Sequence, residues 1–284
     1  MHDLIQEMGW NIIRSEFPDD PGKWSRLWDP SDVYRAFTMK KGMKKVEAIF
    51  LDLSRSKQLQ FSTKIFAKMK RLRLLKIYWR DYCGSMKKEF KVILPEDFQF
   101  PSHELRYLHW EGYSLKSLPS NFHGENLVEL NMMDSNIKQL WQGNKCLEQL
   151  KILNLLRSKQ LTEISNFSNM PNLEELELER CTSLNVVDPS IGVLKKLTLL
   201  NLSGCENLTV YQASIQYLDS LETIYLNNCS NLEEFPEMKR SSMKALSYLH
   251  FDGSAIKELP SSIEHLTGLK ELYMKVQKLE ESSK

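Results

Sequence analysis

Chemistry in this 284-residue chain would have to come from six histidines (His2, His103, His109, His123, His250, His265) and five cysteines (Cys83, Cys146, Cys181, Cys205, Cys229). Their spacing suits none of the usual uses. No H-E-x-x-H, C-x-x-C, G-x-S-x-G or G-x-G-x-x-G stretch occurs. Cys181, Cys205 and Cys229 recur every 24 residues with no histidine in step, whereas a metal site needs closely grouped ligands. His109 and His250 fall on expected strand faces that look toward solvent, but no serine or cysteine nucleophile occupies the matching place in the neighbouring units. The chain is therefore expected to be no enzyme and to carry no metal and no cofactor of its own.

The bulk properties narrow the class further. Thirty-eight Lys+Arg against 37 Asp+Glu leave a net charge of +1, which excludes a strongly basic nucleic-acid binder as the reading of the whole chain. No run approaches the ~18 apolar residues of a membrane span. The opening Met1-His2-Asp3-Leu4-Ile5-Gln6-Glu7 has no basic, then apolar, leader pattern. Sparse, odd-numbered cysteines fit reduced thiols, so the expected location is the cytoplasm, with the nucleus as a second compartment open to the same chain. Four N-x-[ST] sequons, at Asn166, Asn201, Asn207 and Asn228, are chance matches in Asn/Ser/Thr-rich turns.

Leucine is the anomaly: 43 residues, and they are in phase. An L-x-x-L-x-L pattern begins at Leu72, Leu105, Leu127, Leu150, Leu173, Leu197, Leu221, Leu246 and Leu269, at intervals of 33, 22, 23, 23, 24, 24, 25 and 23 residues. Val46/Ile49/Leu51 adds a tenth copy. This is the period of leucine-rich repeats. The L-x-L part is a short strand with leucines inward and alternate residues outward. A second apolar pair (Leu184/Val187, Leu208/Tyr211, Leu232/Phe235) turns the chain back, and a segment such as 260–266 forms a short outer helix or turn. No unit can bury its leucines alone, so neighbours must stack. The fold class is α/β: a leucine-rich-repeat solenoid over 46–276, with ten parallel strands on a curved concave face, short helices or turns outside, a small N-terminal helical cap over 1–45 and a polar tail over 277–284.

Eight residues after each first leucine stands a small turn residue: Ser135, Ser158, Cys181, Cys205, Cys229, Ser254. These form a buried ladder in which a weak donor satisfies turn backbone. Segment 79–104 breaks the period and reads as a bulging loop, a place where recognition is often carried.

In the first 45 residues, Leu4, Ile5, Met8, Ile12 and Ile13 mark one face of a helix capped by Asp3, and Pro18 to Gly22 ends it. Asp29 followed by Pro30 starts a second helix through Val33, Tyr34 and Phe37. The stretch Met1 to Gly9, then Pro21-Gly22-Lys23-Trp24-Ser25-Arg26-Leu27-Trp28-Asp29, resembles the end of the nucleotide-binding module of plant intracellular disease-resistance proteins. The subclass carries an N-terminal Toll/interleukin-1-receptor-like (TIR) domain. Residues 48–54, 104–110, 115–119 and 137–141 fit the same family. The resemblance implies a recognition module of an innate immune receptor, binding a pathogen effector or a guarded host protein and coupling it to defence signalling. It also implies that His2, of a Met-His-Asp motif, stands by an ADP phosphate. No G-x-x-x-x-G-K-[ST] loop accompanies it, so the chain reads as a fragment: the end of that module and the first repeats. The alternative is a truncated scaffold or decoy for related receptors.

Recognition is expected on outward strand positions: Lys76/Tyr78, His109/Glu111, Asn131/Met133, Asn154/Leu156, Glu177/Glu179, Asn201/Ser203, Tyr225/Asn227, His250/Asp252 and Tyr273/Lys275. Aromatic anchors in a polar rim suit a protein partner, with no membrane and no nucleic acid called for. Charge is uneven along the chain, +12 over 40–91 and −9 over 160–237. Lys68, Lys70, Arg71, Arg73 and Lys76 are expected to dock against an acidic surface of the receptor's own nucleotide-binding module.

Overall fold

The computed structural model describes residues 3–39, 43–54, 59–60, 66, 68–79, 92–100, 103–141, 143, 145–164, 166–209, 213–240 and 242–274. Its strands are β1 (Arg26–Leu27), β2 (Ala48–Asp52), β3 (Leu59–Gln60), β4 (Leu74–Tyr78), β5 (Val92–Ile93), β6 (Tyr107–Trp110), β7 (Glu129–Asn131), β8 (Ile152–Asn154), β9 (Glu175–Glu177), β10 (Leu199–Asn201), β11 (Thr223–Tyr225), β12 (Tyr248–His250) and β13 (Glu271–Tyr273). Eleven of them form one parallel sheet in the order β1-β2-β4-β6-β7-β8-β9-β10-β11-β12-β13. Ten were expected. The eleventh is β1, where Leu27 pairs with Ile49 and is fully buried, so the cap extends the sheet as well as covering its end.

The register explains the leucine period. Leu75, Leu108, Leu130, Leu153, Leu176, Leu200, Ile224 and Leu249 stand in line across the strands. All are fully buried, each contributing roughly 1.5–3 kcal/mol of apolar burial. Short 3-10 turns form the opposite layer, among them Phe167–Asn169, Pro189–Val193 and Ser261–His265.

Strands β6 to β12 each exit through a left-handed residue: Gly112, Asp134, Arg157, Arg180, Gly204, Asn228 and Gly253, with φ of 53–73°. Six of their amides, all but that of Gly253, reach the next repeat, for example Arg157 N–H to the Glu179 carbonyl and Arg180 N–H to the Ser203 carbonyl, both at 2.7 Å. The following position is the ladder. The thiols of Cys181, Cys205 and Cys229 donate to the carbonyls of Leu155, Leu178 and Leu202, each at 3.2 Å. Ser158 does the same to Met132 at 3.0 Å and bonds Ser135 at 2.8 Å. Burial pushes the thiols of Cys181 and Cys229 up to about 12 and that of Cys205 higher still. Cys146 is exposed; Cys83 lies outside the described residues.

Two expectations need correction. Segment 79–104 is more than a loop: β5 pairs in parallel with β3 as a second small sheet, and Leu94, Phe98 and Phe100 enter the core. Phe98 packs edge-on against Phe66 and Trp110, and Phe100 against Phe122, so aromatic burial pins the insertion. The first helix, α1 (Asp3–Glu16), begins at Asp3 itself. Of the expected face Ile13 packs inward, but Met8 and Ile12 are exposed. Trp10 stacks on Trp28 at 5.4 Å, Arg14 binds Asp32 at 2.8 Å, and Ile13 and Phe17 pack on the core. Positions 10, 13, 14 and 17 share one helical face, and the indole stack outweighs the aliphatic stripe. In α2 (Pro30–Met39) the Asp29 cap is present, accepting the Ser31 amide at 2.8 Å; Val33 is buried and Tyr34 exposed.

Candidate recognition surface

The outward side of the sheet presents three rows. The middle row carries Lys76, His109, Asn131, Asn154, Glu177, Asn201, Tyr225, His250 and Tyr273 in direct register. One row beyond come Tyr78, Glu111, Met133, Leu156, Glu179, Ser203, Asn227 and Asp252 at the strand exits. Lys275, expected to continue it, lies outside the described residues, as does His2. A third row was missed: Leu74, Tyr107, Glu129, Ile152, Glu175, Leu199, Thr223, Tyr248 and Glu271 precede the central apolar residues and also face outward. Strand alternation contains that signal, but in L-x-x-L these positions look like spacer.

Several proposed contact residues are already engaged. His109 is only 8% exposed; its Nε2 lies 3.2 Å from Glu111 Oε1, and the Tyr107 ring stacks beside it. Glu111 also accepts the Trp79 amide at 3.3 Å. Asn131 is 7% exposed and donates to Glu129 at 2.5 Å. Asn154 and Asn201 accept the amides two residues ahead at 3.0 Å, ending their strands with Asx turns. Asn227 accepts the Asp252 amide of the next repeat at 3.0 Å.

Toward β13 the face becomes acidic and aromatic. Glu175, Glu177 and Glu179 project from one strand at alternate positions. Burial, helped by the two flanking carboxylates and opposed by an Asn201 hydrogen bond, raises the Glu177 carboxyl above its ordinary range. Next come three rings in register: Tyr225 to His250 at 4.9 Å and His250 to Tyr273 at 4.6 Å, the second pair stacked within 13°.

The basic group lies elsewhere. Lys68, Lys70, Arg71 and Arg73 are exposed in the turn that leads into β4, with Arg73 paired to Glu104 at 3.1 Å. Lys76 is on the sheet face, its ammonium 4.8 Å from the Tyr78 ring centre. Pro21–Lys23 is a 3-10 turn whose Lys23 binds Asp20 at 3.0 Å, and the Gly22 carbonyl accepts the Met43 amide. Among the described residues, no three His, Cys, Asp or Glu side chains are grouped to hold a metal, and no helix is long and apolar enough to cross a membrane.

A parallel sheet with one strand per ~23 residues, a buried leucine line and a turn ladder defines a leucine-rich-repeat protein. The leucine-rich-repeat family model matches residues 126–145. Among solved structures, a Leptospira interrogans leucine-rich-repeat protein superposes with a TM-score of 0.50 at 18% identity, over 86% of this chain and 62% of that one, a likeness of fold alone. The sequence relatives are more particular. The chain is 51% identical over 212 residues to disease resistance protein RPV1 of Vitis rotundifolia, covering 69% of this chain and 15% of that one. It is 39% identical over 265 residues to RPP2A of Arabidopsis thaliana, covering 93% and 19%. The disease resistance-like protein CSA1 of the same plant is 36% identical over 276 residues, covering 97% and 23%. The chain is a homologue of plant TIR–nucleotide-binding–leucine-rich-repeat disease-resistance proteins, and it spans less than a quarter of the length of these three.

Proposed function

We propose that this repeat region is the non-catalytic recognition module of a plant innate immune receptor, operating in the cytoplasm. Its outward sheet face binds a pathogen effector or a guarded host protein, and residues 1–45 form the end of the nucleotide-binding module. Binding acts by differential affinity for resting and signalling states. The observation that supports this most is the uncovered sheet face, with aromatic, amide and carboxylate groups in register, on a homologue of resistance proteins. The test is a full-length receptor carrying this segment with Leu199→Trp/Thr223→Trp, which fills the middle of the face without changing charge. The expected result is normal accumulation and no defence response to the cognate pathogen, with Lys159→Trp, off the sheet, responding normally. A full response from the double variant overturns the reading.

Lys68, Lys70, Arg71 and Arg73 are proposed to dock the repeats on an acidic surface of the nucleotide-binding module. They are exposed and lie off the sheet face, so both contacts can coexist. Reversal of these charges should weaken association with the separately expressed module at low salt and remove its salt dependence. Association unchanged by both overturns the docking.

A further inference from the structure

We infer that the part of the sheet face from β9 to β13 receives an extended segment of a partner protein bearing lysine or arginine side chains. This rests on the reading that the face binds protein, and adds the chemistry of what is bound. Across these strands the outward rows hold Glu175, Glu177, Glu179, Asp252 and Glu271 and, among the described residues, no lysine or arginine, while Arg180, just past the β9 exit, lies 3.7 Å from Glu179. The Glu177 carboxyl is raised by its burial first and then by the like charges at alternate positions of the same strand. A cation lying along the row offsets that repulsion.

The carboxylates do not stand alone. Tyr225, His250 and Tyr273 stand in the same row as Glu177 with their rings packed against one another, and Tyr273, the exposed end of that stack, hydrogen-bonds Glu271. An exposed ring beside a carboxylate is the natural seat for a guanidinium or ammonium. The molecule already uses that pairing on this sheet: Lys76 sits over Tyr78 at 4.8 Å, and Lys270 lies 6.0 Å from the Tyr248 ring centre. From Glu177 to Tyr273 the row crosses five strands, about 19 Å at ~4.8 Å per strand, so about six extended residues at ~3.3 Å each cover it. Alternate side chains of such a segment meet first the carboxylates and then the rings. Nucleic acid and anionic lipid carry the wrong charge for this face.

The experiment is fluorescence anisotropy of the whole chain with a dye-labelled nonapeptide alternating arginine and glycine, against the same peptide with citrulline for arginine. The arginine peptide should bind saturably and the citrulline peptide not. Affinity should fall about tenfold in Glu175→Gln/Glu177→Gln/Glu179→Gln, and fall also in the exposed-ring variant Tyr273→Ala. The off-sheet variant Glu206→Gln/Glu233→Gln/Glu234→Gln should bind as the wild type does. Equal binding of both peptides, an unchanged triple sheet variant, or equal loss in the off-sheet variant overturns the proposal. In the receptor, a response kept by the sheet Gln variant but lost by Leu199→Trp/Thr223→Trp overturns the basic segment while leaving the recognition face standing.

Discussion

Raising the pH should destabilise the repeats through their buried thiols. Cys181 and Cys229 titrate at about 12 in the folded chain and Cys205 above that, because their thiolates would be buried. An unfolded cysteine titrates at about 8.5. The folded state therefore holds these protons more tightly. The stability they contribute is complete below about pH 8.5 and is lost as pH rises toward the folded values, at up to about 1.4 kcal/mol per thiol per pH unit. One unit above the unfolded value, each thiol costs about 1.4 kcal/mol and the three together about 4 kcal/mol, a large part of a typical domain stability of about 5–15 kcal/mol. The control is Cys181→Ser/Cys205→Ser/Cys229→Ser. Serine fits this slot, since Ser158 already bonds the Met132 carbonyl from it at 3.0 Å, and it does not ionise. Urea unfolding followed by far-ultraviolet circular dichroism at about pH 7.5 and about pH 9.5 should show the wild type losing about 4 kcal/mol more than the triple variant. Parallel losses would refute the buried, hydrogen-bonded ladder as the source of the effect.

Other consequences follow from the same repeats. Arg180→Gly removes a side chain from a left-handed position, φ 58°, where it makes a long 3.7 Å ion pair with Glu179, and should stabilise by about 0.5–1 kcal/mol in urea melts. Leu200→Asp places an unpaired carboxylate in the fully buried line between Leu176 and Ile224 and should abolish cooperative unfolding of the neighbouring repeats, measured by amide exchange. Gly268→Ala sets a methyl 2.4 Å from the Lys244 carbonyl oxygen and should lower the melting midpoint, whereas Gly143→Ala, with open space around it, should lower it less. Native thiol labelling should modify Cys146 quickly and the three ladder cysteines only on local opening; fast labelling of all would contradict their burial.

The leucine line, the ladder and the Asp29 cap could be read before any coordinates because each depends on contacts that repeat with the chain. Leu176, Leu200 and Ile224 touch only the units beside them, so the burial of one is written at the same offset in the next, and Cys181, Cys205 and Cys229 recur for the same reason. Asp29 acts on Ser31, two residues away. The left-handed turns were not read from the sequence: Gly112, Gly204 and Gly253 share one offset with Arg157 and Arg180, and nothing in an arginine signals positive φ. Where no repeat sets the phase, local pattern failed. Val92–Ile93 finds Leu59–Gln60, and Phe98 and Phe100 find Phe66, Trp110 and Phe122, only once the chain has folded back past an insertion. Met8 and Ile12 were written as an inward face, yet the Trp10–Trp28 stack and the Arg14–Asp32 pair rotate α1 the other way. On the sheet face, alternation could place His109 and Asn131 in the outward row, but not reveal that Glu111 and Glu129 had engaged them. Periodic burial is a property of the chain's own order; competition among side chains for partners is settled only where distant segments meet.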